Sequence, residues 1–216
     1  MNKFLEQAPE ELAKALFDLG AVNVNLSNYY KLGSGDMSPL YCDARLLYSN
    51  TKARVFVISR SLFWVNSFFE EVDAVVGVAS GGIGWAMSLA NNKDKPLLYA
   101  RRDPKDHGLC NQIEGELPKD GAKVVVIDDV ITTGQSALSV CEALRRGKNG
   151  KRAEVLGVFT VFDWDFTIVN KQFEDAGIPK TRLLTLDMLV RYGIENNRLS
   201  AEDERQIGIF YQQHCG

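Results

Sequence analysis

The segment Val124–Ser136, VVVIDDVITTGQS, constrains this chain more than any other. Four apolar residues, Val124, Val125, Val126 and Ile127, run into two adjacent acids, Asp128 and Asp129. A Thr/Gly loop follows, and Ser136 opens a helix-like run, ALSVCEALRR. A short continuous apolar run suits a strand buried on both faces of a parallel sheet. Two carboxylates at the carboxyl end of such a strand stand where open α/β sheets bind ligands. The loop behind them offers backbone N–H groups, two Thr hydroxyls and a helix N-terminus, which together favour an anion. Carboxylates accept hydrogen bonds from sugar hydroxyls, so the combination implies a phosphorylated sugar. Asp-Asp alone at a strand end is ordinary turn chemistry; the whole string carries the implication.

The rest of the chain is consistent with such a sheet. Pro9–Leu19 spaces Leu12, Ala15, Leu16 and Leu19 for one helix face, and Gly20 can end it. Residues 21–26 alternate like an exposed strand, and 31–43, KLGSGDMSPLYCD, read as a turn between two short strands. Ala53–Phe69 reads as a helix packed on a sheet, with Phe56, Phe63, Trp64, Phe68 and Phe69 expected in the core. Strand and helix then alternate. Strands are expected at 74–78, 97–100, 123–127, 154–162 and 182–186, and helices at 83–90, 136–146 and 167–176. Residues 101–118 are polar and irregular, and Ser200-Ala-Glu-Asp-Glu reads as the capped start of a terminal helix. This order predicts an α/β fold: a central, mostly parallel sheet flanked by helices. One domain is expected, with residues 1–50 forming a small N-terminal hood lobe, 51–190 a core and 191–216 a C-terminal helical segment.

Composition excludes several function classes. The net charge of −3 gives no global attraction to nucleic acid or an anionic membrane. Cys42, Cys110, Cys141 and Cys215 form no CxxC pair, and two histidines, His107 and His214, do not suggest a zinc site. The N-terminal MNKFLEQAPEELAK is too polar for a signal peptide, and no apolar run nears the roughly 20 residues that span a bilayer. A reduced, cytoplasmic setting is expected.

Two further segments carry chemistry. Residues 78–84, VASGGIG, form a second strand-to-loop junction, where Gly81 and Gly82 let backbone N–H groups approach a ligand. No GKS or GKT follows, so it is not a Walker A loop, and alone it reads as a tight strand–helix turn. Residues 99–115, YARRDPKDHGLCNQIEG, cluster Arg101, Arg102, Lys105 and His107. Such a cluster is often only a solvated loop. A long irregular loop in a small domain is also often an active-site lid, and cations on it can stabilise an anionic leaving group.

The string Asp128-Asp129-Val130-Ile131-Thr132-Thr133-Gly134-Gln135-Ser136 resembles the signature of the type I phosphoribosyltransferases. The resemblance implies that fold and a site for phosphoribosyl pyrophosphate (PRPP). Asp128 and Asp129 would hold the ribose hydroxyls, and residues 130–136 would wrap the 5′-phosphate. Ser80, Gly81 and Gly82 would form a pyrophosphate loop. Two other segments narrow the resemblance to the orotate-using branch. One supplies Arg101, Pro104, Lys105, His107, Gly108, Ile113, Glu114 and Gly115; the other supplies Ser34, Gly35, Ser38, Pro39, Tyr41 and Asp43. By this resemblance Arg101, Arg102, Lys105 and His107 would meet the pyrophosphate, with Lys105 the catalytic lid residue beside the acids. Thr132 and Tyr41 would contact orotate. Mg²⁺ would bind through PRPP, with no ligand set from the protein alone. A homodimer with each lid closing over the partner's site is implied.

Many relatives carry Lys where this chain has Gly33 and Gly81, and an Arg where it has Trp164. These departures leave the partner of the orotate carboxylate unassigned. A phosphoribosyltransferase for another base, or a PRPP-sensing regulator on the same fold, are the alternatives.

Overall fold

Residues 8–33, 35–69, 71–103 and 112–214 are described by a computed structural model. Helix α1 (Ala8–Asp18) places Glu10 and Glu11 in its first turn, where the helix dipole favours negative charge, and buries Leu12, Ala13 and Leu16. Three hairpin-like strands follow: β1 (Val22–Val24), β2 (Tyr30–Lys31) and β3 (Met37–Ser38). Strand β4 (Leu40–Cys42) returns to pair antiparallel with β1, while β2 pairs with β3. A 3₁₀ helix (Ala44–Tyr48) leads into α2 (Thr51–Phe68), whose N-cap Asn50 accepts the Ala53 N–H at 3.0 Å.

Strand and helix then alternate as β5 (Ala74–Val78), α3 (Gly82–Lys93), β6 (Leu97–Ala100), β7 (Ile113–Glu114), β8 (Ala122–Ile131), α4 (Gln135–Arg146), β9 (Ala153–Asp163), α5 (Thr167–Asp175) and β10 (Lys180–Thr185). Helices α6 (Leu186–Glu195) and α7 (Ala201–His214) close the chain. The six-stranded sheet has the order β10-β9-β8-β5-β6-β7. All its pairings are parallel except β6 with β7. Strand β8 is the spine, and Val124 to Ile127 are fully buried. Each such side chain contributes about 1.5–3 kcal/mol.

Several expectations change. The strand expected at 123–127 continues through both acids to Ile131, because Val130 and Ile131 keep pairing with Phe162 and Asp163 of β9. Pairing with β5 stops at Ile127. Asp128 and Asp129 therefore stand where one neighbour has ended and the other has not. The stretch expected to be irregular contains β7, which pairs with β6.

The aromatics expected in the core on α2 divide: Phe69 is in it, Phe56 and Trp64 pack against its edge, and Phe68 faces out. That helix buries Ala53, Val57, Arg60, Ser61 and Val65, a face of mostly small side chains. Phe56, Phe63 and Trp64 are half-buried and Phe68 is 59% exposed, stacked on Trp64; only Phe69 is buried.

Helix α6 begins at Leu186, ahead of the helical segment expected from 191, and β10 ends at Thr185 rather than Leu186. Thr185 accepts the Met188 N–H and turns the chain into that helix. The start of α7 is as expected: Ser200 Oγ accepts the Asp203 N–H, and the Asp203 carboxylate accepts the Ser200 N–H.

Candidate active site

The sheet order reverses between β5 and β8. From β5 the chain moves one way to β6; from β8 it moves the other way to β9 and β10. Connections diverge there and leave a crevice at the carboxyl ends of the strands. Asp128 and Asp129 sit in it, 5% exposed and half-buried respectively. The Asp128 carboxylate accepts the Asp129 backbone N–H at 2.9 Å. Burial, then the adjacent Asp129 charge, push the Asp128 carboxyl well above the usual range. Burial also raises Asp129, against hydrogen bonds and the nearby Arg45, which lower it. Two carboxylates crowded together with few donors are acceptors ready for the hydroxyls of a ligand.

The loop behind them forms a cavity of about 140 Å³. Its wall is the run from Val130 to Ala137, including Ile131, Thr132, Thr133, Gly134, Gln135 and Ser136, with Arg102 and Gly33 closing it from other segments. Gly134 has φ +70°, and a Cβ there would lie 2.8 Å from the Phe173 ring. Only glycine meets both demands. The loop feeds the N-terminus of α4, so an anion there faces free N–H groups and a positive helix end. Two larger grooves lie at the other end of the sheet, near Asp73, Lys123 and Pro179, away from this chemistry.

The second glycine loop packs directly against the acids. A Cβ on Gly81 would lie 2.1 Å from the Asp129 carboxylate, and one on Gly82 2.2 Å from the Ile127 carbonyl. The Ala79–Ser80 peptide is cis. Tyr48 reaches this loop from the 3₁₀ helix and donates its hydroxyl to the Gly81 carbonyl. Burial and the Asp129 charge push its phenol up, so it remains a donor. Tyr41 is half-buried against Tyr30, with ring centroids 5.8 Å apart.

Arg101 and Arg102 are exposed at the start of the polar loop. Lys105 and His107, with Ser34, Pro104, Gly108, Cys110 and Cys215, lie outside the described residues. Gln112 ties the loop's base together. Its Nε2 is shared among the Arg101 carbonyl (3.0 Å), the Arg102 carbonyl (2.9 Å) and Ser139 Oγ (2.9 Å). Ser139 donates to the Arg102 carbonyl at 2.6 Å, and Arg146 donates to Gln112 Oε1 at 2.9 Å. Ser139 and Arg146 belong to α4, the helix that opens from the phosphate loop. One amide thus fixes the Arg102 backbone relative to that cradle. Gln112→Ala is expected to weaken binding of a phosphorylated ligand at this cradle about 10-fold, the loss of one or two net hydrogen bonds. Ligand titration checks this; unchanged affinity would show that Arg102 needs no such anchor.

Arg45, Tyr48, Gln112, Ser139 and Arg146 escaped the sequence reading. Only Arg45 had a signal, its position two residues after Asp43.

Comparison with known proteins agrees with this geometry. The family described as Phosphoribosyl transferase domain matches residues 47–165. The chain is 37% identical over 206 residues to an orotate phosphoribosyltransferase of Fusobacterium nucleatum, covering 94% of this chain and 95% of that protein. It is 35% identical over 206 residues to the Bacillus subtilis protein of the same name, covering 95% and 92%. The crystal structure of orotate phosphoribosyltransferase from Aeropyrum pernix superposes with a TM-score of 0.70 at 33% identity, covering 83% of this chain and 96% of that one. A crevice with paired acids, a phosphate-sized cradle and these relatives together show that the chain belongs to the phosphoribosyltransferase family, in its orotate phosphoribosyltransferase branch.

Proposed function

We propose that this protein transfers the 5-phosphoribosyl group of PRPP to orotate, giving orotidine 5′-monophosphate and pyrophosphate in pyrimidine (UMP) biosynthesis. The observation that carries the reading is the Asp128–Asp129 pair at the switch point of the sheet, contiguous with the cradle of residues 130–137. The carboxylates accept the ribose hydroxyls, and the loop N–H groups take the 5′-phosphate. Fixed at both ends, the ribose presents its anomeric carbon to the acceptor. Orotate N1 forms the new bond to that carbon and gives up its proton to solvent, the bond to pyrophosphate breaks, and the electron pair leaves with pyrophosphate. The transition state is oxocarbenium-like, as in other displacements at an anomeric centre. Catalysis then rests on positioning and electrostatics. Ser80, Gly81 and Gly82, with Arg101, Lys105 and His107, serve the leaving group, while Arg102, expected there too, stands in the wall of the 5′-phosphate cradle. Thr132 and Tyr41 serve the base.

Mg²⁺ suits this donor set. Two adjacent, desolvated carboxylates favour a nearby divalent charge, and Mg²⁺ prefers phosphate oxygens and water to a protein cage. Bound through PRPP beside Asp128 and Asp129, it would neutralise charge on the pyrophosphate.

A homodimer with shared lids is part of this reading. Val55 and Phe68 on α2 and Met87 on α3 are exposed apolar side chains, 58%, 59% and 47%, of the kind a second subunit covers. Mixing inactive Lys105→Ala subunits with inactive Asp129→Asn subunits is expected to restore part of the activity. No recovery after verified subunit exchange would place each lid over its own site. A cytoplasmic location accords with Cys42 and Cys141, buried free thiols that burial pushes up, Cys141 to about 12. No described helix is long and apolar enough to cross a membrane.

The direct test is loss of orotate absorbance with PRPP and Mg²⁺, with uracil, adenine, guanine and hypoxanthine run in parallel for pyrophosphate release. Turnover of another base with silence on orotate would keep the PRPP site and overturn the acceptor. PRPP binding without turnover of any base would mark a regulator.

A further inference from the structure

Orotate differs from uracil by one carboxylate, so a site that selects it needs a donor aimed at that group. Gly33 and Gly81 have no side chain to offer. Trp164 is 2% exposed and packed among Phe162, Phe166 and Phe210, so it belongs to the core and meets no ligand. Arg102 lies on the phosphate side of the crevice, in the wall of the cradle.

Arg45 stands on the other side. It lies two residues after the N-cap Asp43 and three before Tyr48 in the 3₁₀ helix. Residues three apart eclipse in a 3₁₀ helix, so Arg45 and Tyr48 share a face. Tyr48 touches the Gly81 carbonyl, beside the Asp129 carboxylate, so that face looks into the crevice. The Arg45 charge is also felt at Asp129. The guanidinium is held on one edge only. Nε donates to Asp43 Oδ1 at 2.6 Å and Nη2 to Asp43 Oδ2 at 3.0 Å, and Nη2 also meets the Tyr41 hydroxyl at 3.3 Å. Nη1 donates to no described residue. An arginine pinned by one carboxylate presents its remaining edge in a fixed direction, and the planar fork suits a second carboxylate.

We propose that Arg45 is the specificity-determining residue for the acceptor, its Nη1 edge taking the carboxylate of orotate while Asp43 and Tyr41 hold the guanidinium in place. This rests on the reading of the protein as an orotate phosphoribosyltransferase. It fills the role left open by Gly33, Gly81 and Trp164 with a side chain from the hood.

The test compares Arg45→Ala and Arg45→Lys with the unaltered enzyme. The KM for orotate, the KM for PRPP and the inhibition constant of uracil, the same ring without the carboxylate, are measured for each. Arg45→Ala is expected to raise the orotate KM about 10–100-fold, the range for one charge-assisted contact. The PRPP KM and the uracil constant should stay within about two-fold. Arg45→Lys should fall between, keeping charge but losing the fork. A role in shaping the pocket alone would move orotate and uracil together, and that result overturns the proposal. So does a rise confined to PRPP, which would place Arg45 on the leaving group. Failure of the unaltered enzyme to use orotate would instead remove the underlying assignment, a distinct outcome read before any variant is made.

Discussion

An Asp128→Asn/Asp129→Asn enzyme will lose about 10²–10⁴-fold in kcat/KM for PRPP, and Asp128→Asn alone will melt at a higher temperature than the unaltered protein. The first effect follows from two charge-assisted acceptors becoming neutral, at about 1.5–3 kcal/mol each. The second follows from burial. The Asp128 carboxyl is raised above its unfolded value by desolvation and by Asp129, so its ionised form is costly in the fold. A carboxyl with a raised folded pKa contributes stability below its unfolded value, near pH 4, and loses it as pH climbs through the folded value. Asparagine keeps the Oδ1 that accepts the Asp129 N–H and carries no charge. A gain of about 1–2 kcal/mol, or roughly 3–6 °C in Tm, is expected near neutral pH. The gain should shrink towards zero at about pH 4. Calorimetry across that range checks it. A gain independent of pH would assign the stabilisation to something other than the buried charge.

The two glycines after the cis peptide should respond in opposite ways. Gly81 has φ −66° and ψ −32°, backbone that alanine adopts freely. The atoms nearest its added methyl are those of the Asp129 carboxylate, the mobile end of a side chain. Gly81→Ala should therefore fold with a Tm within a few degrees of normal, yet lose about 100-fold in kcat/KM because Asp129 is displaced. The methyl of Gly82→Ala would strike the Ile127 carbonyl, backbone of the central strand. Overpacking there costs about 2–3 kcal/mol, or roughly 5–10 °C. Paired melting and kinetic measurements separate the cases. Equal thermal losses would mean that the Gly81 loop, not the Asp129 side chain, gives way.

Much of the fold was legible because its signals are local. The apolar run 124–127 specifies a buried strand whatever surrounds it, and Ser200 with Asp203 specifies a helix start through its own hydrogen bonds. The extension of β8 to Ile131 was not legible, because it depends on which neighbour continues to pair. Phe68 of α2 misled for a related reason. Hydrophobicity says that a side chain resists water, but not whether the same chain covers it. Helix α6 carried a signal in Leu186, Leu189 and Gly193, masked by a preceding strand that ends on a capping threonine.

The site divided in the same way. Asp128 to Ser136 announce themselves because the paired acids and the cradle are contiguous in sequence. Arg45 is held by Asp43 and Tyr41, and Gln112 ties the Arg102 backbone to Ser139 and Arg146, and such partnerships form on folding. Apart from the two-residue spacing of Asp43 and Arg45, such side chains leave no periodicity to read.

The burial of two adjacent acids also bears on how long each molecule survives in a cell. Empty, the protein carries two poorly solvated carboxylates; with a ribose seated, their lone pairs are satisfied and binding free energy adds to folding free energy. The fraction of chains open to proteases falls in proportion. Chains without PRPP are therefore expected to be cleaved faster by a protease than saturated ones, so that exposure of the chain would follow the supply of the ligand. Pulse proteolysis with and without PRPP would measure the size of that link.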